Sequence, residues 1–212
     1  MKPLSECKLY AFVDTAYLNG RTAEFVANEL CIGGADLIQL RAKEAKIEEV
    51  RAIAQSLLAI TKPAGVGLVI NDYPAIAREI GADFCHLGQE DFFGAGFTQT
   101  AQLRPPPSKL RIGLSTHDPT QAMRAVQAGA DYVAIGPVFP TATKPTAKAV
   151  TLDYVRWAAA NLTLTWFAIG GINLSNLDQV LEAGARRICV VSAILQSPDI
   201  AGQCRKFRKI LE

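Results

Sequence analysis

The chain has 212 residues, half of them hydrophobic, with a net charge of +2. That length suits one sizeable core, and with no linker-like change in composition a single domain over residues 1–212 is expected. A charge this close to zero leaves no case for nucleic acid, no apolar run approaches the ~18 residues of a membrane span, and five scattered cysteines without CxxC spacing argue against a disulfide framework or a zinc site.

The N-terminal stretch MKPLSECKLYAFVD lacks an apolar segment followed by a small-residue cleavage site, so a cytoplasmic location is expected. Residues 9–13, LYAFV, read as the first strand. The second, 37–40, runs into QLRAK, where alternation puts Gln39, Arg41 and Lys43 on one side and Leu40 on the other. A third, 67–70, ends in Asn71-Asp72, and a fourth, 83–87, leads through HLGQED to Asp91. The fifth, 110–114, follows the break RPPP and ends in Ser115. The sixth, 132–136, opens the loop GPVFPTATKPTAKAV, which carries Thr141, Thr143 and Lys144 and is long for a barrel of this size. The seventh, 165–169, ends in Gly170-Gly171, and the eighth, 188–191, in Val191-Ser192 before a short helical segment. Helix-period segments fill the intervals, and CRKFRKILE reads as the solvated face of a last helix.

Four helix-to-strand junctions repeat a small motif: GAD at Gly34, Gly81 and Gly129, and GAR at Gly184. Each glycine can take the left-handed conformation that ends a helix, so the repeat is structural punctuation. Eight strand-helix units and no GxGxxG after the first strand favour a closed (β/α)8 TIM barrel over an open doubly wound sheet.

In such barrels the chemistry sits on the loops that follow the strands. Gly171, Val191 and Ser192 lie where barrels hold a phosphate on backbone N–H groups, and Thr141 and Thr143 can add hydroxyl donors. Across the mouth, Arg41 offers a planar fork and Lys43 a point charge for a second, more highly charged phosphate group. Asp72 and Asp91 beside these cations suit acid/base work, a solvated rim, or Mg2+ held against a pyrophosphate. Taken alone, either reads equally as a turn or helix cap.

The set QLRAK, IND, HLGQED, GLSTH, ADYVAIGPVFPTATK, AIGGI and VVSAI, in this order between residues 39 and 194, resembles the thiamine-phosphate synthase family. The resemblance implies a (β/α)8 transferase that joins 4-amino-2-methyl-5-pyrimidinylmethyl diphosphate to 4-methyl-5-(2-phosphoethyl)thiazole, releasing pyrophosphate. It implies that Gln39, Arg41, Lys43, Asn71, Ser115 and Lys144 contact the pyrimidine diphosphate. Asp72 and Asp91 would bind Mg2+, and Thr141, Thr143, Gly171, Val191 and Ser192 would hold the thiazole phosphate. Arg41, Lys43, Ser115 and Lys144 are the catalytic candidates, and residues 137–150 are expected to act as a lid. One departure is RAK where the family usually has REK.

Other readings compete with this one. A related thiazole phosphate tautomerase would carry a histidine at Pro137 and lack the carboxylate of Asp91. A silent ligand-binding barrel would have lost Asp72, Asp91 or Lys144, and an isomerase would need an acid/base pair. His86 reads as a satisfied core histidine and His117 as no partner for Ser115. The expected partners are small-molecule substrates; monomer and homo-oligomer both stay open.

Overall fold

The computed structural model describes residues 1–141 and 149–212. Eight parallel strands close into a barrel in chain order: β1 (Leu9–Asp14), β2 (Leu37–Arg41), β3 (Gly67–Asn71), β4 (Phe84–Leu87), β5 (Arg111–Thr116), β6 (Tyr132–Ile135), β7 (Trp166–Ile169) and β8 (Ile188–Cys189). They are buried almost throughout, which is why they read as continuous apolar runs. The expected (β/α)8 class is the observed one.

The outer layer consists of α1 (Ala23–Ile32), α2 (Ile47–Thr61), α3 (Pro74–Ile80), α4 (Pro119–Gln127), α5 (Thr151–Asn161), α6 (Leu177–Glu182), α7 (Ser192–Leu195) and α8 (Ile200–Leu211). Local chemistry fixes where several begin. Thr22 and Asp118 accept from the backbone N–H three residues on, at 3.1 and 2.8 Å, and Pro119 occupies the first turn of α4. Gly34, Gly81, Gly129 and Gly184 all have positive φ, between 73° and 101°, at the junctions where the repeat places them. Helix α8 buries Ile200, Cys204, Phe207 and Leu211 and leaves Arg205, Lys206 and Lys209 exposed, as the sequence pattern predicts.

One crossover departs from expectation. Between β4 and β5 the chain forms a π turn (Glu90–Gly94) and a 3-10 turn (Thr100–Leu103) in place of an α-helix. Gly94, Gly96 and the Pro105–Pro107 run interrupt any helical register there. The result matters for the mouth of the barrel, because it leaves Asp91 on a turn right after β4.

Strand register positions the polar residues. Asp14 pairs with Arg41, Phe12 with Gln39, and Asn71 with His86. The interior below them is aromatic: Tyr10, Phe84, Tyr132 and Phe167 meet edge to face, with centroids 5.4 to 6.2 Å apart. Gly113 makes room for this cluster, since a Cβ there would lie 2.1 Å from Tyr132 Cζ. All five cysteines are free, and four of them are buried. Among the described residues no helix is long and apolar enough to cross a membrane.

Candidate functional site

A cavity of about 160 Å³ opens at the C-terminal end of the strands. Of the residues singled out in the sequence, Gln39, Arg41, Lys43, Asn71, Asp72 and Asp91 line it on one side. Ser115, Thr141, Gly171, Val191 and Ser192 line it on the other. Thr143 and Lys144, with half of the expected lid, lie outside the described residues.

The charged side is held by ion pairs. Arg41 Nη1 donates to Asp14 Oδ2 at 2.8 Å, and Asp14 is 1% exposed, so the guanidinium is tethered from beneath by a buried carboxylate. Lys43 Nζ lies 3.4 Å from Asp72 Oδ2, and Asn71 Nδ2 donates to the same oxygen at 2.5 Å. Asp72 is a non-glycine residue at φ +64°, a conformation Asp tolerates better than most, and its N–H donates to the His86 carbonyl at 2.9 Å. Burial pushes the Asp72 carboxyl above its ordinary value, Lys43 pulls it back, and the charge of Asp91 pushes it up again. Asp91 folds back over Gly88, where a Cβ would lie 2.8 Å from Asp91 Oδ2.

The opposite side is built of backbone. Gly170 and Gly171 have φ of +102° and +66°. The sequence suggests that these glycines let an anion approach, but the structure gives a further reason. A Cβ on Gly170 would sit 2.3 Å from Pro137 Cβ, and one on Gly171 would sit 2.6 Å from the Pro140 carbonyl oxygen. The start of the 137–150 segment packs there and is tied down by Val138 N–H to the Ile169 carbonyl and Phe139 N–H to the Gly170 carbonyl, at 2.8 and 3.1 Å. Val191 and Ser192 stand at the start of the one-turn α7.

Several lining residues are not site candidates in the sequence, among them Tyr10, Phe12 and Cys189. Alternation in LYAFV puts Tyr10 and Phe12 on one face, which is the signal that could have found them. His86 is satisfied, as its core reading has it, and it also lines the cavity. Its Nε2 meets Ser115 Oγ at 2.9 Å, whereas His117 Nδ1 meets the Gly136 carbonyl, so Ser115 and His117 form no pair. Gln89 Nε2 donates to the Ser115 carbonyl at 2.6 Å and anchors the end of β5.

A closed (β/α)8 barrel with cations and carboxylates on one lip and glycine backbone on the other defines a barrel enzyme class that handles phosphorylated ligands. Comparison with known proteins narrows the class. Residues 9–194 match the family model described as thiamine monophosphate synthase. The thiamine-phosphate synthase of Thermus thermophilus is 46% identical over 184 residues, covering 84% of each chain. That of Halalkalibacterium halodurans is 37% identical, covering 99% of this chain and 97% of its own. The solved thiamine phosphate pyrophosphorylase of Pyrococcus furiosus superposes with a TM-score of 0.85 at 28% identity, covering 98% of this chain and 96% of that one. The chain belongs to the thiamine-phosphate synthase family and is a transferase.

Proposed function

We propose that this single-domain barrel works in the cytoplasm, where it joins 4-amino-2-methyl-5-pyrimidinylmethyl diphosphate to 4-methyl-5-(2-phosphoethyl)thiazole and forms thiamine phosphate and pyrophosphate. The observation that carries the reading is the convergence of Arg41, Lys43, Asn71, Asp72 and Asp91 on one cavity, facing Gly171, Val191 and Ser192. That arrangement gives a diphosphate and a monophosphate separate seats at opposite lips.

The donor set suits Mg2+. Asp72, paired with Lys43, feels the charge of Asp91, and Gly88 leaves room for the Asp91 carboxylate. Among the described residues no group of three or more His, Cys, Asp and Glu forms a metal cage. Two carboxylates, with water and phosphate oxygens filling the other positions, are what Mg2+ takes. Asp72 and Asp91 would hold it, and when bound it neutralises charge on the departing diphosphate.

The remaining work belongs to the protein. Arg41, steadied by Asp14, and Lys43 bind the diphosphate and meet the negative charge that grows as the C–O bond breaks. The electron-rich aminopyrimidine stabilises the methylene cation left behind, Gln39 and Asn71 orient the ring, and the thiazole nitrogen closes the new C–N bond. No general base is needed, because no proton leaves the attacking nitrogen. Gly171, Val191, Ser192 and Thr141 seat the thiazole phosphate, joined in this reading by Thr143, while Lys144 reaches the diphosphate and residues 137–150 close over both substrates.

The decisive assay supplies both substrates with and without Mg2+ and measures thiamine phosphate. Formation that depends on Mg2+ is expected; no product under either condition sinks the reading.

A further inference from the structure

Hydrogen bonds run unbroken beneath the cavity from Asp72 to Ser115. Lys43 and Asn71 both reach Asp72 Oδ2. Asn71 Oδ1 lies 3.4 Å from Gln39 Nε2, and Gln39 Oε1 lies 2.6 Å from the Tyr10 hydroxyl. The Tyr10 and Tyr132 hydroxyls are 3.1 Å apart, Tyr132 is 3.1 Å from His86 Nδ1, and His86 Nε2 is 2.9 Å from Ser115 Oγ.

The direction of each bond follows from the Asp72 end. Asn71 turns its NH2 group to Asp72 Oδ2, the oxygen that Lys43 also meets, and its carbonyl to Gln39. Gln39 donates to that carbonyl and presents its own oxygen to Tyr10, which must therefore donate. With its proton committed, Tyr10 accepts from Tyr132, and Tyr132 in turn accepts from His86 Nδ1–H. In a neutral imidazole the other nitrogen then accepts, so Ser115 donates inward to Nε2. Ser115 is left with only lone pairs to offer a ligand in the cavity.

Tyr132 is the member that cannot rearrange. It is fully buried and set back from the cavity lining, and its ring is wedged edge-on among Tyr10, Phe84 and Phe167 above Gly113. Burial also pushes its phenol well above the ordinary value, which keeps its donor proton in place.

We propose that Tyr132 is a positioning residue: it fixes His86 in the Nδ1–H form and so makes Ser115 a hydrogen-bond acceptor that selects a substrate presenting N–H, such as an aminopyrimidine, over its oxo analogue. This selection rests on the proposed function, in which Ser115 meets the pyrimidine.

The chain contains two histidines, so 15N-labelled imidazole gives two ring systems, and a His117→Asn variant assigns them. In the ligand-free wild type, His86 is expected as Nδ1–H with an unprotonated Nε2. Tyr132→Phe removes the hydroxyl that accepts from Nδ1, and the ring proton moves to Nε2, where Ser115 must accept it. The KM for the pyrimidine diphosphate then rises about tenfold while that for the thiazole phosphate stays put. In a Ser115→Ala background, Tyr132→Phe adds less than about twofold, because the two residues act in series.

An Nε2–H or doubly protonated His86 in the wild type overturns the proposal, as does retention of Nδ1–H in Tyr132→Phe or additive losses in the double variant. The wild-type spectrum needs no substrate, and its assignment needs only His117→Asn to fold. Failure there counts against the relay alone, whereas absence of thiamine phosphate from wild-type assays counts against the functional reading.

Discussion

On the β2–β4 lip of the barrel the groups facing the cavity are side chains, each held by a partner: Arg41 by Asp14, Lys43 by Asp72, Gln39 by Tyr10. On the β7–β8 lip they are largely backbone, with Gly170 and Gly171 shaped by contact with Pro137 and Pro140. The difference matches what two anions would ask for on the proposed reading. A leaving diphosphate gains charge as its bond breaks, so side-chain charge there acts on the transition state. A phosphate that stays attached gains none, and holding it equally in both states affects binding alone. Substitutions on the first lip should therefore lower kcat, and those on the second should raise KM.

The largest effect is expected at Asp91. Asp91→Ala should lower turnover on the order of 10³-fold, several kcal/mol of transition-state stabilisation, and raise the Mg2+ needed for half-maximal rate. Circular dichroism should stay unchanged, because Asp91 is exposed on a turn outside the barrel wall. Wild-type rates in this variant would remove the metal role from the first lip altogether. A step down in size is Asp14→Asn, which keeps the shape beneath Arg41 and removes the charge. A charge-assisted bond of this kind contributes about 1.5–3 kcal/mol, so kcat should fall about 10–100-fold. A change confined to the KM for thiazole phosphate would break the comparison, since it would tie Arg41 to the wrong anion.

How far these residues could be read beforehand follows the same division. Strand-end positions such as Gln39, Arg41, Asn71 and Asp91 are legible, because a buried parallel strand ends where its apolar run ends and barrel loops carry the chemistry there. Asp14 is not, since its meaning comes from pairing with a residue 27 positions away, once β1 extends one residue beyond its apolar run. Tyr10 and Tyr132 are harder still. An inward tyrosine looks like core in any periodic pattern, and these two meet across 122 residues of chain. The missing helix after β4 is hidden by apolar residues that mimic a helical face while Gly94 and Gly96 break it. Gly170 and Gly171 are half legible: their positive φ suits a loop for an anion, but only the folded chain shows Pro137 and Pro140 filling the space a side chain would need.

The β7–β8 lip can be tested on its own. In Gly171→Ala a Cβ would meet the Pro140 carbonyl oxygen at 2.6 Å, in a backbone conformation that L residues rarely adopt. The backbone must shift, and with it the N–H groups assigned to the thiazole phosphate. We expect the KM for that substrate to rise roughly tenfold, kcat to change less than about twofold, and the variant to lose about 1–2 kcal/mol of stability. A kcat loss larger than the KM change would mean that this lip also acts on the transition state.

The smallest effect concerns what the charged lip costs the fold. Burial, and then the charge of Asp91, raise the Asp72 carboxyl above 3.8 in the folded chain, against the partial relief given by Lys43. A carboxyl whose folded value is raised binds its proton more readily in the native state than in the unfolded one. Stability contributed by Asp72 is therefore present at acid pH and lost as pH rises from the ordinary value through the raised one, so at neutral pH the ionised group is a net cost. Asp72→Asn, which keeps an oxygen for Asn71 and Lys43, should melt about 1–3 °C above wild type at neutral pH without Mg2+. The gap should shrink as the pH is lowered through the carboxylate range, where wild-type Asp72 takes up its proton. Adding Mg2+ should narrow it from the other direction by stabilising wild type alone, because ligand that binds only the native state raises its melting temperature. A variant that melted lower than wild type at neutral pH would show that the pairing with Lys43 outweighs the repulsion from Asp91, and that the charged lip is no burden to the fold.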